Sequence, residues 1–200
     1  GKVFLFLESP NYYLQEPRKL FSGNGFVFYG SFIFCVPTMW WLFKRYKLPV
    51  FVTLDVMAVT TCLVHLFGRI GCFMAGCCYG LPTHHEWGVV FTEPACYAHP
   101  KGVALHPVQL YEATYIGLVM VWLLMLRAKR KFYGQLFLVY LMLYAVGRYG
   151  LEFFRGDVER GFIVENYVSH AQAIALIILL IAALTYFRLS KVNRIENGLR

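Results

Sequence analysis

Long apolar blocks alternate with short polar segments along this chain. Each block runs for about 17–22 residues, the length of an α-helix that crosses the hydrocarbon core of a bilayer. The blocks occupy residues 26–43, 48–67, 108–126, 134–154 and 168–187. Hydrophobic residues make up 58% of the 200 residues, well above the share in soluble globular domains. We therefore predict an all-α polytopic membrane protein, a helical bundle of about five transmembrane helices.

The positive charges of the chain lie where cytoplasmic loops are expected. Lys and Arg cluster just beyond three of the blocks, at residues 44–47, 127–131 and 188–200. Cytoplasmic loops carry such an excess, so the first residues and the segment between the second and third helices are predicted to lie outside. The net charge of +8 is then explained by topology and by contact with membrane lipid, and no nucleic acid partner is expected.

This topology divides the chain into three predicted parts. Residues 1–22 form an extramembrane N-terminal arm, because Pro and Asn interrupt regular structure there. Residues 23–190 form the transmembrane catalytic bundle, with an external arm and loop elements that include an outer loop at 68–107. Residues 191–200 form a basic cytoplasmic tail.

Residues 68–80, GRIGCFMAGCCYG, are the most distinctive stretch of the chain. They follow an apolar block and combine four glycines, three cysteines and one arginine. Glycines such as Gly68 and Gly71 allow a headgroup or another backbone to approach closely. The guanidinium of Arg69 offers a fixed charge and a planar fork suited to phosphate. The stretch predicts a lipid-headgroup site.

Two further polar faces are expected at the same depth. Tyr144, Arg148 and Glu152 are spaced i, i+4 and i+8 on the fourth predicted helix, and Arg155 follows at its rim. Ionisable groups at membrane depth are rare and costly, so each indicates function. The alternative is that Arg148 and Glu152 form only a structural ion pair.

The third predicted helix opens with the other polar face. His106, Gln109 and Glu112 are spaced i, i+3 and i+6 after Pro107, which is well suited to a helix start. Together with Arg69 they favour a binding cavity, in which arginines, carboxylates and a tyrosine hold a phosphate diester and manage a proton.

Three motifs resemble those of bacterial prolipoprotein diacylglyceryl transferases. Residues 68–80 are similar to the family signature, residues 106–112 (HPVQLYE) to its second motif, and residues 144–157 to its third. The order and the spacing match over about residues 20–190. The resemblance implies a bundle of transmembrane helices, seven in the family, and the first of these are expected to be absent or reduced before Gly1.

The resemblance also implies a reaction. Members of this family transfer the diacylglyceryl group of phosphatidylglycerol to the lipobox Cys thiol of a preprolipoprotein, at the outer face of the bacterial inner membrane, and glycerol 1-phosphate leaves. Arg69 and Arg148 would hold the phosphate, Glu152 would orient Arg148, and Tyr144 would bind lipid or substrate. Glu112 joins this catalytic group. The residues expected to bind substrate are Tyr29, Gly68, Gly71, Cys72, Cys77, His106, Gln109, Tyr111 and Arg155. No cofactor is expected.

The chain departs from the family pattern at three positions. Cys72 stands where the family has Asn, and Cys77 where it has Glu. A family His that is often taken as the catalytic base corresponds to Tyr29. A tyrosine with a pKa of about 10 is a poor base at neutral pH. The chain thus retains the residues expected to hold the phosphate, but its base differs from that of the family.

Cys72, Cys77 and Cys78 admit several interpretations. Their positions are compatible with packing as small apolar residues, with a disulfide within the group or to Cys96 in an oxidising compartment, and with a thiolate nucleophile that Arg69 activates. A metal site with a nearby His is a further alternative. Because the spacing matches no standard zinc pattern, no metal is expected.

Three other functions remain open on the sequence. The chain could be a non-catalytic phospholipid-binding or assembly protein, or a related lipid transferase with a different acceptor. A thiol redox membrane protein is the last alternative, because the chain contains no Cys-x-x-Cys motif.

Overall fold

The computed structural model describes residues 28–156, 162–164 and 168–198, and it is mostly helical. The five long helices are α1 Phe28–Arg45, α2 Val50–Ala75, α3 Val108–Arg127, α4 Gln135–Leu151 and α5 His170–Gly198. A short 3-10 helix, Glu152–Phe154, extends α4. The predicted N-terminal arm, residues 1–22, lies outside the described residues.

The helices have the length and composition that a membrane requires. Within the described part of the chain, four spans are long and apolar enough to cross a bilayer: Val50–Ala75, Val108–Arg127, Gln135–Phe154 and His170–Val192. Their outward faces remain apolar, as the exposed side chains Leu118, Leu180 and Ile181 show. The prediction of an all-α polytopic membrane protein is confirmed.

The chain divides into two compact units, Gly1–Val50 and Phe51–Arg200. In the first, α1 continues through Pro37, which membrane helices tolerate. In the second, α2, α3 and α4 share a core, and a smaller apolar cluster joins α4 to α5. The buried members of the shared core are Ala58, Cys62, Ile116, Val119, Leu123, Leu136 and Tyr140.

Asp55 ties the beginning of α2 to the beginning of α4. Its carboxylate is 1% exposed, and its two oxygens accept hydrogen bonds from the backbone N–H groups of Gly134 (2.9 Å) and Phe137 (3.1 Å). The first N–H groups of a helix have no partner within the helix, so a carboxylate from a neighbouring helix can cap them. Asp55 therefore fixes where α4 starts.

The loop between α2 and α3 contains an antiparallel pair of two-residue strands, β1 Val89–Val90 and β2 Ala104–Leu105. A second antiparallel pair, β3 Phe162–Val164 and β4 Val168–Ser169, precedes α5.

Gly80 lies where the loop between α2 and α3 meets the ends of two helices. Its N–H donates to His106 O (2.9 Å), and a Cβ there would approach the carbonyl oxygens of His106 and Phe154 to 2.7 Å. Only glycine fits without displacing backbone.

Two predicted helix ends are corrected by the structure. The second helix was expected to end at residue 67, with residues 68–107 as a loop, but α2 runs to Ala75. Gly68 and Gly71 therefore lie on a helix, and the loop begins after them. The last helix was expected to end at 187 and continues to Gly198, so most of the predicted tail, residues 191–200, is helical.

Candidate functional site

Glu112 is the centre of a buried polar cluster between α2 and α3. Its side chain is 5% exposed, and one oxygen, Oε1, contacts two basic side chains. Arg69 Nη2 lies 2.9 Å from Oε1, and His65 Nε2 lies 3.0 Å from it. Because His65 and Arg69 are four residues apart on α2, both side chains project from one face of the helix. A single carboxylate thus anchors two basic side chains.

The contacts of His65 favour one tautomer. Its Nε2 is 3.0 Å from the Glu112 carboxylate and 3.3 Å from Nε of Arg69, which is itself a donor. One ring nitrogen cannot donate to the first and accept from the second at the same time. The shorter contact involves an ionised acceptor and is the stronger of the two. We therefore assign the hydrogen to Nε2, which leaves Nδ1 as the accepting nitrogen.

The predicted face of α4 lies against this cluster. The ring of Tyr144 contacts the ring of His65 edge-on at 5.6 Å between centroids. Arg148 Nη1 lies 2.6 Å from Glu152 Oε2, and both side chains are largely buried. Tyr144 lies within electrostatic range of Glu112 and of Arg69, Arg148 and Arg155. The contact between Tyr144 and His65 thus joins the polar face of α4 to the Glu112 cluster.

Gln109 joins α3 to the cysteine-containing loop. It is fully buried, and its Nε2 donates to the backbone carbonyl of Cys77 at 2.6 Å. Its Oε1 is also buried and has no hydrogen-bond partner in the described part of the chain. Because an unpaired buried carbonyl is costly, this oxygen is suited to a donor that arrives with a ligand, such as a hydroxyl group.

His106 and Tyr111 belong to a second cluster. His106 Nδ1 lies 3.2 Å from the Tyr111 hydroxyl, and both rings pack against Phe154. His85 stacks on Trp87 and faces His106 at 6.0 Å. Among the described residues, neither His106 nor Tyr111 makes a polar contact with the Glu112 cluster. Their role as substrate-binding residues stays a prediction.

The remaining predicted binding residues are partly accessible. Gly68 and Gly71 are exposed on α2, and a Cβ at either would meet nothing within 4 Å. Arg155 is half-buried, and its backbone forms a bridge with Gly80. The side chain of Tyr29 lies outside the described residues. These roles stay predictions.

The cysteines are all free thiols, and all six fall within the described residues. Burial raises the pKa of Cys77 to about 12, and the neighbouring thiols Cys78 and Cys72 act in the same direction. A raised pKa disfavours the thiolate form of Cys77. The nucleophilic role of the cysteines stays a prediction.

Comparison with known proteins identifies the family of this chain. The family profile for prolipoprotein diacylglyceryl transferase matches residues 1–188. The chain belongs to the prolipoprotein diacylglyceryl transferase family. A phosphatidylglycerol–prolipoprotein diacylglyceryl transferase of Clostridium tetani is 38% identical over 187 residues, which are 93% of this chain and 73% of that protein.

Other relatives of this diacylglyceryl transferase family member carry the same name. A phosphatidylglycerol–prolipoprotein diacylglyceryl transferase 2 of Clostridium perfringens is 33% identical, over 93% of this chain and 72% of its own length. A counterpart in Dehalococcoides mccartyi is 32% identical, over 96% and 72%. The prediction of a membrane transferase of this family is confirmed.

His65 is the member of the site that sequence reasoning missed. A lone His inside an apolar block is ordinarily taken as a core residue. Two features of the sequence could have identified it. It lies four residues before Arg69, which places both side chains on one helical face, and it is an ionisable residue at membrane depth. The structure places its imidazole against Arg69 and Glu112.

Proposed function

We propose that this chain transfers the diacylglyceryl group of phosphatidylglycerol to the cysteine thiol of a prolipoprotein, at the outer face of the bacterial cytoplasmic membrane. Family membership and the names of the relatives support this reaction. The observation that carries it is the pair of largely buried arginines, Arg69 and Arg148, each held by a carboxylate.

The chemistry of the reaction explains why two arginines are needed. The acceptor thiolate attacks the glycerol carbon that carries the phosphate, a C–S bond forms, and the C–O bond to the phosphate breaks. The phosphate diester, with one negative charge, leaves as a monoester with a second charge. Fixed cations stabilise charge that develops in the transition state. Arg69 and Arg148 would act on the departing phosphate, and Tyr144 would donate a hydrogen bond to it.

We assign His65 as the general base that accepts the proton of the acceptor thiol. The thiol must lose its proton before it attacks, and imidazole is the commonest general base in proteins. With its hydrogen on Nε2 and directed at Glu112, His65 presents Nδ1 as the proton acceptor. Glu112 then stabilises the imidazolium that forms, as the carboxylate does in a catalytic triad.

Release of glycerol phosphate tests the proposed reaction. Purified protein is incubated with phosphatidylglycerol labelled in the headgroup and with a peptide that carries a lipobox cysteine. We expect release that requires the peptide and is absent when the peptide cysteine is replaced by Ser. Arg148→Ala should slow release by about 10²–10³-fold, the usual effect of removing one group that stabilises transition-state charge.

The matched control is Arg127→Ala, which removes an exposed arginine at the far end of α3 and should leave release unchanged. Release that is independent of the peptide would indicate another acceptor. Lipid binding without any release would overturn the transferase and favour a phospholipid-binding protein.

A separate variant tests the role of His65. His65→Gln should lower kcat by roughly 10²–10⁴-fold with little change in KM for the lipid, because general-base catalysis contributes that much. His84→Gln removes an exposed histidine and serves as the control. If both variants are equally active, His65 is not the base.

A further inference from the structure

Three cysteine thiols meet at the end of α2. The Sγ atoms of Cys72, Cys77 and Cys78 all lie within 4.8 Å of one another, and all three residues are half-buried. Two of them are adjacent in sequence, and the third lies one helical turn before the helix ends. The sequence spacing gave no reason to expect a metal ion here, so this grouping is a product of the fold.

The backbone at the helix end creates the grouping. Gly76 and Cys78 adopt left-handed conformations, with φ of +71° and +59°. A left-handed glycine commonly ends a helix, but a left-handed Cys is unusual. The turn folds the chain back, so that Cys77 N–H donates to the carbonyl of Cys72 at 3.1 Å. The thiols of Cys77 and Cys78 are thereby returned to the side of the helix that carries Cys72.

We propose that Cys72, Cys77 and Cys78 form a binding site for a soft d10 metal ion such as Zn²⁺ or Cu⁺. Metal–sulfur bonds of about 2.3 Å require sulfur atoms roughly 3.8–4.0 Å apart, so the three thiols need to approach by only about 1 Å. Thiolate is the ligand type that such ions prefer. On binding, three S–H bonds are replaced by three metal–sulfur bonds, and three protons pass to solvent without any redox change.

The protein offsets part of the charge that a bound ion and its three ligands would carry. Three thiolates and one divalent cation carry a net charge of −1. Arg69 lies within electrostatic range of both Cys72 and Cys78 and offsets this charge. The ion would also occupy the neighbourhood of an arginine that the proposed transferase uses for phosphate. Metal occupancy and phosphate binding are therefore expected to compete.

Cadmium titration of the full chain in detergent tests the site. Cd²⁺ is a soft d10 probe whose bonds to thiolate give an ultraviolet charge-transfer band. We expect the band of the reduced wild type to saturate at one equivalent per chain. Cys72→Ser and Cys77→Ser should each weaken binding by more than the roughly 10–100-fold that loss of an outer-shell partner costs. The matched control is Cys96→Ser, which removes a half-buried thiol outside the group and should bind as the wild type does.

A second measurement needs no variant. Alkylation of the wild type, mapped by mass spectrometry with and without Cd²⁺, should show protection of the three thiols together, while Cys96, in the loop between α2 and α3, is modified to the same extent in both samples. Three results overturn the site: no saturable band, equal loss in Cys96→Ser, or no protection of the group. Neither assay measures turnover, so failure of the metal site and failure of the transferase are distinguishable.

Discussion

Two buried carboxylates in this bundle, Asp55 and Glu112, are bound in different ways. Asp55 lies about 15 Å along α2 from His65, which is a partner of Glu112, at 1.5 Å per residue. Asp55 uses both oxygens on backbone N–H groups of α4. Glu112 instead places one oxygen, Oε1, against two basic side chains of α2, His65 and Arg69. Asp55 is therefore bound by the backbone of a helix, and Glu112 by ionisable side chains.

The difference distinguishes a structural from a functional buried charge. Burying a carboxylate is costly unless its oxygens are satisfied, and backbone donors do this without the loss of side-chain freedom. Partners that are themselves long, basic and partly exposed are a poor way to stabilise a helix. They are a good way to present charge to an anionic ligand. The unpaired oxygen of buried Gln109 belongs to the same end of the bundle.

The largest effect is expected from Glu112→Gln. The amide keeps the shape but removes the charge that anchors Arg69 and His65, so the transfer rate should fall by about 10²–10³-fold, or roughly 3–4 kcal/mol in the barrier. The thermal unfolding midpoint should change little, because neither basic partner is completely buried. A large drop in the midpoint together with a normal rate would reverse the assignment of the two carboxylates.

Asp55→Ala should show the opposite balance. It removes the cap of α4 and leaves the N–H groups of Gly134 and Phe137 without their acceptor, at a cost of about 2–4 kcal/mol of unfolding free energy. Activity per folded molecule should be retained, since Asp55 is far from the cluster. Thermal unfolding in detergent and the release assay measure the two quantities. Asp55→Asn, which keeps one acceptor oxygen, should lose less stability, and an equal loss would argue against the cap.

The smallest effect is the stabilisation of the folded protein that we expect from added glycerol 1-phosphate. Glycerol 1-phosphate at about ten times its Kd should stabilise the wild type by about 1.4 kcal/mol, because a ligand that binds only the folded state contributes RT ln(1 + [L]/Kd). Asp55→Asn should respond similarly, and Arg69→Ala should not. Scanning calorimetry with added ligand gives the shift. A shift that survives in Arg69→Ala would place the phosphate elsewhere.

The sequence predicted the helices well and the contacts between them less well. Apolar blocks with basic ends located the helices, because length and charge distribution directly reflect the bilayer. The end of α2 was wrong since Gly68 and Gly71 resemble loop residues, although both face open space and interrupt no packing. The helix continues through them because its backbone groups, inside a membrane, have no water as an alternative partner.

Side-chain partners were predictable only where they share a helix. The Arg148–Glu152 contact follows from i, i+4 spacing, and the structure contains it. The bonds of Glu112 to α2 and of Asp55 to α4 depend on how helices are packed side by side, and no local pattern encodes that. The meeting of three thiols depends on the left-handed conformation of Cys78, which residue type alone argues against.

The junction at Gly80 has a consequence for how such a site can diverge. Four main-chain hydrogen bonds join residues 79–81 to His106, Phe154 and Gly156, at 2.9–3.2 Å. These hydrogen bonds join peptide groups, so they do not depend on which side chains surround them. Reactive side chains nearby can therefore be replaced while the backbone that positions them keeps its conformation. Substitutions as drastic as Cys at positions 72 and 77 are therefore compatible with an inherited active-site outline.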